Sequence, residues 1–163
     1  MNTHLRTGLV IALLAAGLQG KVDAEPLTIV ENGEARATIV LASDDPQATR
    51  AAQTFRNYIS KMSGAVFDMI SERAGPPQTI GIYIGNPRRA ATAGIEIPSG
   101  FDPSVRDDAF SEEGYILKTR GNDIFIGGNS DGPYHGVEYG VYALLEKLGC
   151  RFYFPGDWGE VIP

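Results

Sequence analysis

The sequence predicts an α/β domain, with a mixed β-sheet and two main helices packed on it as a two-layer sandwich. Three observations carry that reading. Short runs rich in Ile, Val and Thr recur along the chain. Two longer segments repeat apolar residues at the three- and four-residue spacing of a helix. The helices are interspersed with hairpins rather than segregated from them, which implies one mixed sheet carrying helices.

Met1 to Ala24 read as a secretory signal peptide. His4 and Arg6 give a positive start, Gly8 to Leu18 form a short apolar core, and Val22 and Ala24 supply the small-x-small pattern that places cleavage after Ala24. A membrane anchor would need about 20 continuous apolar residues, and Gln19 and Lys21 interrupt this run. The expected location is therefore secreted or periplasmic. Cleavage leaves 139 of the 163 residues, enough for one core without metal or disulfide support. The reading is a single domain over 25–155, followed by an exit linker at 156–163.

Leu27 to Val30 and Ala35 to Leu41 are β-rich runs around Asn32-Gly33, a pair that suits a tight hairpin because both residues tolerate positive φ. A frayed N-terminus is the other reading of Leu27 to Val30. A helix follows, with Asp44 or Asp45 as cap, Pro46 in its first turn and Gly64 as its stop. Ala48, Ala51, Ala52, Phe55, Tyr58, Ile59 and Met62 form its apolar stripe, which core packing against a sheet explains better than a partner. Val66 to Ile70 and Thr79 to Ile84 read as strands around Gly75-Pro76-Pro77. Pro87 to Ala93 reads as a short helix, and Gly94 to Ser111 as an ordered surface excursion. Tyr115 to Thr119 and Ile124 to Ile126 form a hairpin around Gly121-Asn122. A Gly-rich turn, a helix from about Pro133 to Leu148 and a strand over Cys150 to Phe154 complete the order.

Candidate chemistry mostly fails on inspection. The turn Gly127-Gly128-Asn129-Ser130-Asp131-Gly132 joins a strand to a helix, where backbone N–H groups can hold an anion. It lacks both the dinucleotide glycine spacing and the Lys-Ser/Thr of a phosphate loop, and Asp131 would repel a phosphate. A structural turn is the stronger reading. His135 is the only His left after signal removal, and no elbow motif surrounds Cys150. A Cys150–His135 dyad is therefore the weaker reading beside a buried thiol and a helix-start His. As the only Cys of an exported chain, Cys150 cannot close an internal disulfide, so it is either buried or available to another chain. Asp107-Asp108 and Glu112-Glu113 resemble carboxylate pairs, but consecutive residues of an extended chain point to opposite sides and do not converge across a cleft. Gly136 and Gly140 let the last helix lie close on the sheet, with Val137, Val141, Leu144 and Leu148 as its buried stripe.

Composition adds exclusions. Fourteen Lys and Arg against 20 Asp and Glu give a net charge of -6, or -7 once Arg6, Lys21 and Asp23 leave with the signal. That balance argues against nucleic acid as a partner. Two His and one Cys argue against a protein-built zinc site, and the length is too short for a catalytic (β/α)₈ barrel of about 250 residues.

The sequence resembles a known family at particular places. Gly114-Tyr115, Ile124-Phe125-Ile126-Gly127-Gly128, and the run GVEYGVYALLEKLGCRFYFPGDWGEVIP from Gly136 to Pro163 carry the resemblance, together with Tyr58 to Gly64. They are similar to the N-terminal α/β domain of bacterial secreted glycoside hydrolases. These include the alpha-glucuronidases (glycoside hydrolase family 67), and the beta-hexosaminidases carry a similar domain. The resemblance implies a non-catalytic domain preceding a catalytic barrel, so it assigns no catalytic, cofactor or metal residue to this chain. No His-Glu-x-x-His motif occurs. The expected partner is a catalytic barrel absent from this chain, with Phe154 and Trp158 of the apolar exit segment at the interface. The alternative is a free-standing extracytoplasmic carbohydrate-binding or interaction module, with Tyr134, Tyr139 and Tyr142 to stack on sugar rings.

Overall fold

The computed structural model describes residues 26–42, 45–101 and 112–163. The signal segment, Asp44 and the Asp107-Asp108 pair lie outside the described residues. Nine strands (β1 Val30–Glu31, β2 Glu34–Ala35, β3 Ala37–Leu41, β4 Met69–Ser71, β5 Ile80–Ile84, β6 Tyr115–Arg120, β7 Asp123–Gly128, β8 Arg151–Phe152, β9 Glu160–Val161) and three α-helices (α1 Pro46–Ser63, α2 Arg88–Thr92, α3 Gly136–Lys147) are described.

The central sheet has the order β4-β3-β5-β7-β6, with β4, β3, β5 and β7 parallel and β6 antiparallel at one edge. It is the mixed sheet with helices on it that the sequence predicts. Side-chain alternation sorts its two faces. Ala37, Ile39, Ile82, Ile84, Ile124 and Ile126 point to one face and are buried beneath α1 and α3. Val40, Tyr83, Ile116 and Phe125 point to the other, where Ala90 of α2 and Ile95 pack on them. The second face is thus partly covered by a short helix and the segment after it.

The helix signals in the sequence act as expected at α1. The Asp45 carboxylate accepts from the Gln47 and Ala48 backbone N–H groups at 2.9 and 3.0 Å, Pro46 starts the helix, and Gly64 ends it at φ 75°. Ala48, Ala51, Ala52, Phe55, Tyr58 and Ile59 are all buried, and Phe55 meets Phe67 edge-on at 6.1 Å.

Four readings need correction. The first hairpin is only Val30–Glu31 with Glu34–Ala35, turning through Asn32 (φ 53°) and Gly33 (φ 79°). After Arg36 the chain leaves that hairpin, and Ala37–Leu41 pairs in parallel with β5 and β4 instead. One continuous β-rich run therefore serves two sheets. The strand expected from Val66 starts only at Met69, because Val66 is exposed and the buried Phe67 packs under α1 before pairing begins. The last helix starts at Gly136, not Pro133, with His135 as its cap position. The strand expected over Cys150 to Phe154 shrinks to Arg151–Phe152 and does not join the central sheet. It pairs with Glu160–Val161, so residues 156–163, read as an exit linker, fold back along it.

Candidate functional site

The C-terminal hairpin is where the largest exposed apolar side chains gather. In the register Arg151↔Val161 and Phe152↔Glu160, one pair points outward and the other inward. The inward pair is fastened to α1. Phe152 packs edge-on against Tyr58 at 5.4 Å and against Tyr142 of α3 at 5.0 Å. The Tyr58 hydroxyl donates to Glu160 Oε1, and Lys61 approaches Glu160 Oε2 at 3.6 Å while lying over the Tyr58 ring. Burial, reinforced by the Glu160 carboxylate, raises the Tyr58 phenol well above the ordinary tyrosine range, so it stays a donor.

The loop between the two strands is held by its own backbone. Tyr153 N–H donates to Gly159 O and Gly159 N–H to Gly156 O, both at 2.9 Å. Gly159 is buried, and a side chain there would collide with the Phe154 backbone. This tight return pushes the loop's own side chains outward. Trp158 is 95% exposed, Tyr153 71%, Phe154 58% and Val161 51%. An indole left almost wholly in water, with three more exposed apolar side chains on the same short hairpin, gives this end of the chain an apolar surface of the kind that contact sites use. The two residues singled out from sequence, Phe154 and Trp158, are both exposed on the loop between β8 and β9. Tyr153 and Val161 were missed, because their exposure depends on the fold-back at 156–163 and no local pattern signals it.

The other candidates disperse. His135 is half exposed at the start of α3, its backbone N–H donating to Glu113 Oε2 at 2.8 Å and its ring 3.5 Å from Glu138. Cys150 follows the opposite end of that helix, roughly 18 Å away along the axis at 1.5 Å per residue. It is buried, with Sγ 3.7 Å from Met62 Sδ. Burial and the Glu160 carboxylate push its thiol up, which leaves it unreactive. No dyad forms. Glu113 serves the start of α3 instead of facing Glu112 across a cleft.

The Gly-rich turn is structural. Asn129 is fully buried. Its side chain donates to Gly100 O at 2.8 Å and accepts from Asp131 N–H at 3.0 Å, and its own N–H donates to Gly114 O at 2.9 Å. The Asn129 and Asp131 amides of the turn thus serve the protein itself. Gly136 and Gly140 do let α3 lie on the sheet: a side chain at Gly136 would meet Gly114 and Asn129 backbone, and one at Gly140 would sit 3.0 Å from Ile126 Cγ2.

Of the tyrosines considered for sugar stacking, Tyr139 and Tyr142 lie one turn apart on α3 and are 46% and 38% exposed. Tyr134 is separate, edge-on to Phe101 at 5.7 Å. Among the described residues no three His, Cys, Asp or Glu side chains converge to hold a metal ion. Among the same residues no helix is long and apolar enough to cross a membrane. No protein-family model matches the chain, and no curated protein matches its sequence.

Proposed function

We propose that this chain is the N-terminal accessory domain of a secreted, alpha-glucuronidase-like glycoside hydrolase, and that its C-terminal hairpin packs against a catalytic barrel. The observation that carries this reading is Trp158, 95% exposed at the tip of a hairpin whose inner side is latched to α1. Burying Trp158, Phe154, Tyr153 and Val161 against a partner would remove from water the apolar area that they now expose, at about 25 cal/mol per Å². The sequence resemblance over Gly136 to Pro163 supports the choice of partner. Signal cleavage after Ala24 would deliver the domain to the secreted or periplasmic space. Catalysis belongs to the barrel, so this chain alone is expected to leave aryl glycosides intact.

The DNA downstream of the Pro163 codon tests the reading. A frame or neighbouring gene encoding a glycoside-hydrolase barrel is expected. Adding that barrel should shift Trp158 fluorescence to the blue and shield it from acrylamide. An unrelated locus, or an indole that stays open to quencher in the presence of the barrel, overturns the proposal.

The exposed Tyr139 and Tyr142 support a second reading, a free-standing carbohydrate-binding module. Sugar rings would stack across that helix face. Calorimetric titration with uronic-acid and amino-sugar oligosaccharides separates the two readings. Saturating heats lost in Tyr139→Ala would favour the module, and flat heats the accessory domain.

A further inference from the structure

The face of the central sheet opposite α1 and α3 holds a cleft of about 210 Å³. Glu72, Arg73 and Pro76 of the β4–β5 connection line one side, Arg88 and Arg89 of α2 the other, and Tyr83 of β5 lies between them. Tyr83 is 2% exposed and stacks on Phe125 at 5.0 Å and 13°, yet its hydroxyl has no hydrogen-bond partner. Buried hydroxyls are nearly always satisfied, so an orphan beside a cleft indicates a partner that the protein itself does not supply.

The surrounding charges are unevenly committed. Arg89 is occupied: it pairs with Asp123 at 2.7 Å and lies 5.5 Å over the Tyr83 ring. Glu72 Oε2 accepts the Arg88 backbone N–H at 2.8 Å, which holds that carboxylate at the start of α2. The Arg88 guanidinium itself forms no ion pair among the described residues.

We infer that this cleft is a binding site for a small monocarboxylate, held by the Arg88 guanidinium, with a second ligand oxygen accepting from the Tyr83 hydroxyl. The planar fork of an arginine matches a carboxylate. A single guanidinium with the Glu72 carboxylate close by suits a monoanion better than a phosphate dianion. The volume is below the roughly 300–1,000 Å³ of drug-sized pockets, which limits the ligand to a few heavy atoms. Burial and Asp123 raise the Tyr83 phenol, keeping it protonated as a donor. The site lies apart from the C-terminal hairpin and stands whether or not the accessory-domain proposal does.

Nuclear magnetic resonance titration of the ¹⁵N-labelled protein tests it, with L-lactate, its neutral amide and inorganic phosphate as probes. Lactate is expected to shift the Tyr83, Arg88 and Arg89 amides saturably, and lactamide to leave them in place. Tyr83→Phe keeps the ring stack and should weaken lactate about three- to tenfold, the effect of one hydrogen bond. Arg88→Gln should weaken it by about tenfold or more. Arg88 is exposed, so its variant decides the matter even where Tyr83→Phe disturbs the fold. The inference is overturned by unsaturable shifts, by an equal response to lactamide, by tighter binding of phosphate, or by unchanged lactate affinity in Arg88→Gln.

Discussion

Gly136→Ala sets two physical effects of opposite sign against each other. Gly136 is the first residue of α3, and helix propensity alone favours alanine there by up to about 1 kcal/mol. Packing opposes it. A Cβ would stand 2.6 Å from Asn129 N and 3.0 Å from Asn129 O, and closer still to Gly114 O. These are backbone atoms and cannot swing aside. They also make the hydrogen bonds Asn129 N–H to Gly114 O and Gly136 N–H to Asn129 O, each 2.9 Å, which tie α3 to the end of β7 and to the start of β6. Overpacking costs roughly 1–3 kcal/mol, and weakening two buried backbone bonds adds about 1 kcal/mol each. The net expectation is a loss of about 2–4 kcal/mol. Gly140→Ala is the control on the same helix: its nearest atom is Ile126 Cγ2 at 3.0 Å, a side-chain methyl that can adjust, so propensity and crowding should nearly cancel. Urea unfolding followed by circular dichroism measures both. Gly136→Ala should lower the midpoint with the slope unchanged, and Gly140→Ala should fall within about 1 kcal/mol of wild type. A Gly136→Ala protein as stable as wild type would refute the view that close backbone approach, rather than propensity, selects this glycine.

Trp158→Ala should change stability by less than about 0.5 kcal/mol, because the indole is 95% exposed, whereas Phe152→Ala should cost about 1–3 kcal/mol through its contacts with Tyr58 and Tyr142. Thermal melts of the two variants compare them directly. Alkaline titration should destabilise the fold. Burial raises the phenols of Tyr58, Tyr83, Tyr134 and Tyr142 above the ordinary value near 10. The unfolded chain therefore loses those protons first, and stability falls as pH rises above about 10, while their contribution is fully present below it. Absorbance at 295 nm should show tyrosinates released together with unfolding, and Tyr58→Phe should reduce the slope. Cys150 should resist thiol reagents in the native protein at neutral pH and react as denaturant unfolds it; fast labelling of the folded chain would contradict its burial.

How much was legible differs from element to element. Helix α1 could be read almost completely, with only the choice between Asp44 and Asp45 as cap left open, because the cap, Pro46, Gly64 and the apolar stripe all act within one or two turns of themselves. The β6–β7 hairpin was legible for the same reason, its pairing being local. The division of Leu27 to Leu41 between two sheets was not, since nothing in that run says that Ala37–Leu41 will find β5, some forty residues later in the chain, as its partner. The exposed apolar hairpin was half legible: Phe154 and Trp158 stand out as aromatic residues in an apolar exit segment, but Tyr153 and Val161 join them only through the fold-back. The monocarboxylate cleft was invisible, because Tyr83 reads as one more apolar strand residue. Its hydroxyl is orphaned only once the folded chain buries it, beside the cleft that Arg88 and Glu72 also line.

By itself the sequence determined the α/β class, the ends of α1, the hairpin turns and the close-packed glycines of α3. Each follows from local stereochemistry or from hydrophobic periodicity, which act over a few residues. Only the tertiary structure decided the strand order, the retreat of the last strand into its own hairpin, the nearly bare indole of Trp158 and the unpaired hydroxyl of Tyr83. Those depend on which distant segments meet. Long-range contacts fix burial, and burial determines whether a side chain is core, contact surface or ligand.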